Sequence, residues 1–176
     1  MNTKIYLQRF VVGLVVLVAL NCIMLIPYNL SANVAPTGYY LNSESFKQND
    51  ISSPGELIYT DNSNIRFKVR YTTESYSAAE VWGYRSVEGR IYRSIDFEFY
   101  EMDTSGAIWL YTCEKEGAKE YKVSRGLQTQ PVELNEASVG KLISDVKDLS
   151  ARYAKLTKTQ RNNQALNFVL EYNSTT

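Results

Sequence analysis

The chain has 176 residues, enough for one ordinary domain, and its 19 basic and 19 acidic residues leave no net charge that would attract nucleic acid. It contains no histidine, the side chain that usually activates a nucleophilic serine or cysteine near neutral pH and the commonest ligand of zinc and non-haem iron. Of its two cysteines, only Cys113 lies outside an apolar N-terminal run. From the net charge we predict no nucleic-acid partner, and from the histidine and cysteine counts we predict no metal site and no cofactor.

Residues 1–32 have the pattern of an export signal. Lys4 and Arg9 precede an apolar run from Phe10 to Ile26, which is slightly long for the core of a signal peptide and at the lower limit for a membrane-spanning helix. A cleaved signal peptide and a retained membrane anchor therefore both stay open. Either one keeps the basic head in the cytoplasm and sends the rest of the chain to the extracytoplasmic side, the periplasm or the cell surface.

Residues 33–55 are rich in Asn, Ser, Pro and Gly, a composition that favours a polar tether. Apolar residues occur there only in short patches. One patch, the Tyr-Tyr-Leu sequence at residues 39–41, can instead form a first short edge strand. The β-rich globular domain, with its C-terminal helices, is predicted to span residues 56–176.

From residue 56 the hydrophobic period becomes two, which indicates β-strands. Apolar residues 57–59 lead into a polar turn at residues 61–64 and then into a strand with one apolar and one cationic face. Along that strand Ile65, Phe67, Val69 and Tyr71 alternate with Arg66, Lys68, Arg70 and Thr72. The segment is therefore predicted to form a β-hairpin whose cationic face lies in solvent.

A second hairpin is predicted next. Residues 81–85 lead to a turn at Glu88-Gly89, and the chain returns through residues 91–93. A two-residue loop would place Arg85 across from Tyr92, a cross-strand pair that stabilises a sheet by a few tenths to about 1 kcal/mol.

Three further strands complete the predicted sheet. Residues 95–100 alternate as one strand, on which Asp96 and Glu98 share a face, and residues 107–112 and 119–123 are rich in β-forming residues. The polar and glycine-containing segments between them read as turns. We therefore expect neighbouring strands of this region to pair as hairpins.

The character of the chain changes after Pro131. Asn135 can cap a helix whose apolar positions recur every three or four residues up to Leu156, with a break near Ser150, and a second helix is predicted over residues 160–172. Strands first and helices last indicate the α+β class, with an antiparallel β-sheet of hairpins or a meander followed by C-terminal helices. A partly open barrel is the other arrangement that such a sheet allows.

Aromatic residues and glycines recur with a regular spacing between residues 81 and 143. The series consists of Val81-Trp82-Gly83-Tyr84-Arg85, Gly89-Arg90-Ile91-Tyr92-Arg93, Phe99-Tyr100-Glu101-Met102, Ile108-Trp109-Leu110-Tyr111, Tyr121 to Ser124, and Val132-Glu133-Leu134-Asn135. This series resembles a pattern of uncharacterised small exported β-rich proteins of Bacteroidetes. Those proteins have no assigned biochemical function, so the resemblance implies an exported β-rich domain and gives no catalytic residues to carry over.

Two aromatic pairs occur at two-residue spacing. Trp82 and Tyr84 would share one strand face, and Trp109 and Tyr111 another. Flat rings on a sheet can stack on sugar rings as a ligand surface or fill the core of a small domain, and core packing is the favoured interpretation. These four are nevertheless the candidate ligand-binding residues. Cys113, beside the second pair, is expected to be a small buried hydrophobic residue.

The predicted function is a non-catalytic binding or interaction module on the extracytoplasmic side, with a protein or glycan as partner and with the membrane as a further partner if the N-terminal segment is retained. A β-cup or barrel that binds a glycan or an apolar ligand is the first alternative. A carboxylate-based hydrolase is a weaker one, since glycosidases use two acids about 5–10 Å apart and Asp96 and Glu98 would fall in that range. Any exposed strand face gives that spacing, so no catalytic residue is predicted.

Overall fold

The computed structural model describes residues 36–52 and 55–175. Residues from Pro36 onward form one compact unit. The predicted export signal, residues 1–32, lies outside the described residues. Among the residues that are described, no helix is both long enough and apolar enough to cross a membrane.

The described residues form ten strands and four helices. The strands are β1 (Gly38–Tyr40), β2 (Glu56–Thr60), β3 (Asn64–Val69), β4 (Thr72–Ser77), β5 (Gly83–Arg85), β6 (Ile91–Ile95), β7 (Glu98–Asp103), β8 (Trp109–Lys115), β9 (Ala118–Ser124) and β10 (Val132–Glu133). The helices are α1 (Ser43–Lys47), α2 (Glu136–Leu142), α3 (Lys147–Ala154) and α4 (Lys158–Thr175). The three longer helices therefore follow the strands.

All of these strand pairs are antiparallel, and the strands fall into two sheets. The larger sheet has the order β1-β5-β6-β7-β8-β9-β10, and the smaller one has the order β2-β3-β4. Within the described residues β1 and β10 are the edges of the larger sheet and do not pair with each other, so this sheet is not closed into a barrel. The predicted α+β class with an antiparallel sheet is confirmed.

The larger sheet packs against three apolar clusters, two on one face and one on the opposite face. On one face, Tyr84 and Phe99 pack against the smaller sheet, and Val123 packs against the three C-terminal helices. Side chains that alternate with these form a third cluster on the opposite face. That third cluster contains Ile95, Tyr100, Met102, Tyr111 and Cys113, with Phe46, Trp82, Ile91 and Trp109 packed against it.

Asn135 caps helix α2, as predicted. Its side chain accepts hydrogen bonds from the N–H groups of Ala137 and Ser138, and the Ser138 hydroxyl accepts one from the Asn135 N–H, which completes a capping box. The predicted break lies between α2 and α3, where Val146 has an extended backbone, rather than near Ser150.

Residues 36–52 belong to the folded domain, so the predicted tether is wrong for this segment. Strand β1 pairs with β5 at the edge of the larger sheet, and Tyr40 is fully buried. Tyr39 is buried too, in the cluster that faces the smaller sheet. Two tyrosines on opposite faces of one short strand are enough to fix the segment, although its composition is polar. The alternative of a short first edge strand is confirmed.

The single alternating strand predicted over residues 65–72 is two strands. β3 ends before a two-residue turn, Arg70-Tyr71, and β4 pairs back along it. Arg70 has a φ of +56°, and Tyr71 is fully exposed rather than part of the apolar face. The sequence does not indicate this turn, because Tyr71 continues the apolar alternation. Arg70 also adopts a left-handed conformation at a position where glycine or asparagine is usual.

The strand predicted over residues 95–100 is interrupted in the same way. Asp96 and Phe97 form the two-residue turn between β6 and β7, with φ values of +53° and +66°. Positive φ at both positions is the geometry of a type I′ turn, which favours Asn-Gly. Asp96 therefore lies in a turn and Glu98 in a strand, so the prediction that they share a strand face is wrong.

The loop between β5 and β6 is longer than predicted. Tyr84 pairs with Tyr92 and Arg85 with Ile91, so Arg85 does not lie across from Tyr92. A three-residue loop ending in Gly89, with a φ of +81°, causes the shift. Glycine adopts that conformation without steric cost.

Candidate functional site

The structure separates the four predicted ligand-binding residues. Trp82, Trp109 and Tyr111 belong to the third cluster, whereas Tyr84 lies on the opposite sheet face. The backbone bends at Trp82, just before β5, so the predicted shared face of Trp82 and Tyr84 is wrong. Trp109 and Tyr111 lie in the regular strand β8 and do share a face.

Tyr84 is a core residue at the junction of the two sheets. Its ring stacks on Tyr92 with centroids 4.6 Å apart and meets Phe99 edge-on at 5.0 Å. Its hydroxyl shares a hydrogen bond of 3.0 Å with the hydroxyl of Thr60 in β2. Burial raises the pKa of the phenol. These contacts agree with core packing for this residue.

An arginine contacts two of the other three residues, Trp82 and Tyr111. The guanidinium carbon of Arg93, on β6, is 5.3 Å from the centre of the Trp82 ring and 5.6 Å from the centre of the Tyr111 ring. Only 9% of Arg93 is exposed, while Trp82 and Trp109 are half-buried. We call the following five residues the Arg93 cluster: Phe46, Trp82, Arg93, Trp109 and Tyr111.

A chain of hydrogen bonds leads away from Arg93. Its Nη1 donates to the Tyr111 hydroxyl at 3.0 Å, and that hydroxyl is 3.0 Å from the hydroxyl of buried Ser124. Ser124 in turn donates to the carbonyl oxygen of Gly126 at 3.0 Å. Because Ser124 uses its one hydrogen on Gly126, Tyr111 donates to Ser124 and accepts from Arg93. Both hydroxyls are therefore fully committed.

Arg93 is a buried cation without a carboxylate. No aspartate or glutamate among the described residues lies within ion-pair distance of it. Its Nε is buried and has no acceptor in this part of the chain. Burying an unpaired charge costs several kcal/mol, and cation–π contacts of about 0.5–2 kcal/mol each offset only part of that. An anionic ligand would balance this charge.

Other cations on the same sheet face do have carboxylate partners. Lys115 lies 2.5 Å from Glu98, and Lys122 pairs with Asp96. The hydrogen bond to Glu98 raises the pKa of the Lys115 ammonium group. Arg93 differs from these lysines because no carboxylate in the described part of the chain pairs with it.

The four acids near β7 each have a partner of their own. Asp96 and Glu98 pair with the two lysines, and Glu101, on the opposite face of β7, pairs with Arg90 at 3.2 Å. Asp103 accepts a hydrogen bond from the N–H two residues further on. The structure therefore does not bring these acids together as a facing pair.

Helix α1 contributes a ring that the sequence did not indicate. Asn42 caps this helix, and Phe46 stacks on Trp82 with centroids 4.8 Å apart and planes 24° apart. Tyr40 meets both rings edge-on, at 5.3 Å and 6.3 Å. Phe46 was missed because its segment has the composition of a tether.

The sequence carries a signal for the burial of Arg93. Ile91, Arg93 and Ile95 alternate along β6, so the arginine occupies the middle of an apolar strand face. Arginine is almost never fully buried unless it is paired. An arginine between two isoleucines at that spacing therefore indicates a buried cation that needs a partner.

Cys113 is buried, as predicted, and within the described residues its thiol is free. Burial, followed by the nearby charge of Glu98, raises the pKa of its thiol. Across residues 36–52 and 55–175, no group of three or more Cys, Asp or Glu side chains is placed to hold a metal ion. The Arg93 cluster is therefore the site whose chemistry points to a ligand.

No protein-family model, no curated protein and no solved structure matches this chain. What the domain does is therefore inferred from the Arg93 cluster and its chemistry.

Proposed function

We propose that the domain is a non-catalytic binding module on the extracytoplasmic side of a membrane, and that the Arg93 cluster is its ligand surface. The observation that carries the proposal is the buried, unpaired cation of Arg93 between the rings of Trp82 and Tyr111. Natural proteins retain such a destabilising group where function requires it. The location rests on the basic head and apolar run of residues 1–32.

We propose a glycan as the ligand. Trp82 and Trp109 are half-buried members of this cluster, so part of each ring is accessible, with Phe46 stacked on the Trp82 ring and Arg93 over it. Such a ring packs against the apolar face of a sugar, while neighbouring polar groups bind its hydroxyls. The combination of two tryptophans with an arginine suits a ligand that is both ring-shaped and polar.

Binding of the purified domain to a panel of neutral and acidic oligosaccharides tests this function. We expect Trp82→Ala and Trp109→Ala to lose binding while remaining folded. The matched control is the exposed Arg66–Tyr59 pair of the smaller sheet, where the guanidinium carbon lies 5.4 Å from the ring centre. Tyr59→Ala should bind like the parent. Absence of glycan binding, or equal binding by all variants, would contradict the proposal.

A further inference from the structure

We infer that Arg93 binds a carboxylate and that the ligand of the Arg93 cluster is a glycan with an acidic sugar residue. This inference rests on the proposed function, since it names the charged group that the same site would recognise.

The free edge of Arg93 has the geometry of a carboxylate receptor. Nη1 is used by the Tyr111 hydroxyl, whereas Nε has no acceptor among the described residues. No hydrogen bond of Nη2 to those residues exists either. The N–H groups of Nε and Nη2 point in parallel from one side of the planar guanidinium, and this pair matches the two oxygens of a carboxylate.

The charges around Arg93 also favour an anion. Arg85 lies on the neighbouring strand β5, two residues after Gly83, which pairs with Arg93. Arg85 has no carboxylate partner in the described residues either. It bonds to the side-chain oxygen of Asn49 at 2.6 Å and lies 5.9 Å from the centre of the Tyr40 ring. This end of the sheet face thus carries two cations that no acid of residues 36–52 and 55–175 neutralises.

A carboxylate fits Arg93 better than a phosphate monoester does. Arg85 is only partly buried and already bonds to Asn49, so Arg93 is the charge that burial leaves to be balanced. A carboxylate has one negative charge, so its pair with Arg93 buries no net charge, whereas a phosphate monoester brings about −1.5 to −2 at neutral pH. The neighbouring tryptophan rings then favour a carboxylate that is attached to a sugar ring, as in a uronic or sialic acid.

The site also provides its own reporter. The Trp82 ring lies over the guanidinium, and Nε is shielded from solvent, so a carboxylate reaches Nε only when the rings above Arg93 shift. The chain has two tryptophans, and both belong to the Arg93 cluster. Intrinsic tryptophan fluorescence therefore reports on this site alone.

The test is a fluorescence titration with tetrasaccharides of galacturonate, of glucuronate and of sialate. Each acid is compared with its methyl ester, which keeps the shape and removes the charge, and a sulfated tetrasaccharide tests another anion. We expect a saturable change with at least one acid, and at least tenfold weaker binding of its methyl ester and of the sulfated sugar. No preference for any acid over its ester would overturn the inference.

Variants assign the effect to Arg93. Arg93→Met should lose at least tenfold in affinity for the acid and bind the ester as the parent does, and Arg66→Met should behave like the parent. Arg93→Lys keeps the charge but loses the two parallel donors, so it serves if the methionine variant does not fold, and it should also lose the preference for the acid. Retained preference in either Arg93 variant would overturn the inference.

The outcomes separate this inference from the function on which it rests. If acid and ester bind equally well and both need Trp82 and Trp109, the binding function stands and the carboxylate assignment is wrong. If no oligosaccharide binds, both are wrong. If Arg93→Met melts at the parent temperature or above it and has lost the acid, the arginine serves the ligand rather than the fold.

Discussion

The side-chain amide of Asn173 pairs with the backbone of Ile108 as a neighbouring strand would. The Ile108 N–H donates to Oδ1 at 2.9 Å, and Nδ2 donates to the Ile108 carbonyl oxygen at 2.7 Å. Gly106 permits this approach, because a Cβ atom at that position would collide with the Asn173 side chain. The last helix is thereby fastened to the start of β8, at a point where Ile108 is fully buried.

Asn173→Ala should destabilise the domain. Both backbone groups of Ile108 would lose their partner, and each unsatisfied buried group costs about 1–3 kcal/mol, so we expect a loss of about 2–6 kcal/mol in the free energy of unfolding. Urea denaturation measures it. Asn173→Asp keeps the acceptor but sets a carboxylate oxygen against the Ile108 carbonyl oxygen, so its loss should be at least as large as that of the alanine variant. A variant as stable as the parent would show that water replaces the amide.

Tyr84 should separate the contribution of its hydroxyl from that of its ring. Tyr84→Phe loses the hydrogen bond to Thr60 and should cost about 0.5–1.5 kcal/mol, whereas Tyr84→Ala removes the ring between the sheets and should cost about 3–5 kcal/mol. The control is Tyr59→Phe, which loses an exposed hydrogen bond to Asp61 and should change little. Equal effects of the two Tyr84 variants on the unfolding free energy would refute this division.

Phe97→Gly should stabilise the protein. Phe97 has a φ of +66° and is 72% exposed, so it bears the strain of the left-handed conformation without burying its ring. That strain is worth about 1–2 kcal/mol, and the entropy of a new glycine cancels part of it, so we expect a net gain of up to about 1 kcal/mol. Phe97→Val is the matched control and should lower the melting temperature. A lower melting temperature for Phe97→Gly would contradict the prediction.

Cys113 should react slowly with a thiol reagent in the native protein and rapidly in urea. Its pKa is raised in the folded state, so at a given pH less thiolate is present than in the unfolded chain. Because the pKa of the thiol is higher in the folded state than in the unfolded chain, its protonation stabilises the folded protein. This contribution to the free energy of unfolding is fully present below the unfolded pKa and is lost as the pH rises through the folded pKa. Replacing Cys22 by Ser leaves one thiol to follow. Equal rates in both conditions would show that the thiol is accessible.

Export is tested by fusing alkaline phosphatase after Ala35, ahead of the folded domain. Lys4, Arg9 and the apolar run motivate the prediction that the fusion is active, since this enzyme needs an oxidising extracytoplasmic compartment to form its disulfides. A fusion that begins at Pro36 lacks the signal and should be inactive. Activity of the second fusion alone would reject export, and mass spectrometry of the native protein decides between cleavage and retention.

The predictable part of this fold is the part that follows hydrophobic alternation and capping rules. The start of helix α2 was predictable from Asn135, because an asparagine side chain can accept hydrogen bonds from the first free N–H groups of a helix. The missed turns, at Arg70-Tyr71 and Asp96-Phe97, contain no glycine and leave the alternating pattern unbroken. Tertiary pairing holds Arg70, Asp96 and Phe97 in a left-handed conformation without the glycine that would mark it in the sequence.

The candidate site was predicted in part, since Trp82, Trp109 and Tyr111 were named as candidates while Arg93 and Phe46 were not. Aromatic residues at two-residue spacing are visible in a sequence. The bend that turns Trp82 away from Tyr84 and toward Arg93 is set by contacts between distant segments. Which residues meet across a sheet depends on register, and a three-residue loop shifted that register by one.

The end of β9 joins the two sides of the larger sheet. Ser124 completes the hydrogen-bond chain that begins at Arg93, and the next residue, Arg125, bonds to Asp145 at 2.9 Å and to the hydroxyl of Tyr172 at 3.0 Å. Two consecutive residues thus hold the sheet face that carries the Arg93 cluster and the face that packs against the helices. A displacement of this strand end would move groups on both faces, so we expect a change in helix packing to alter the hydrogen bond between Tyr111 and Ser124.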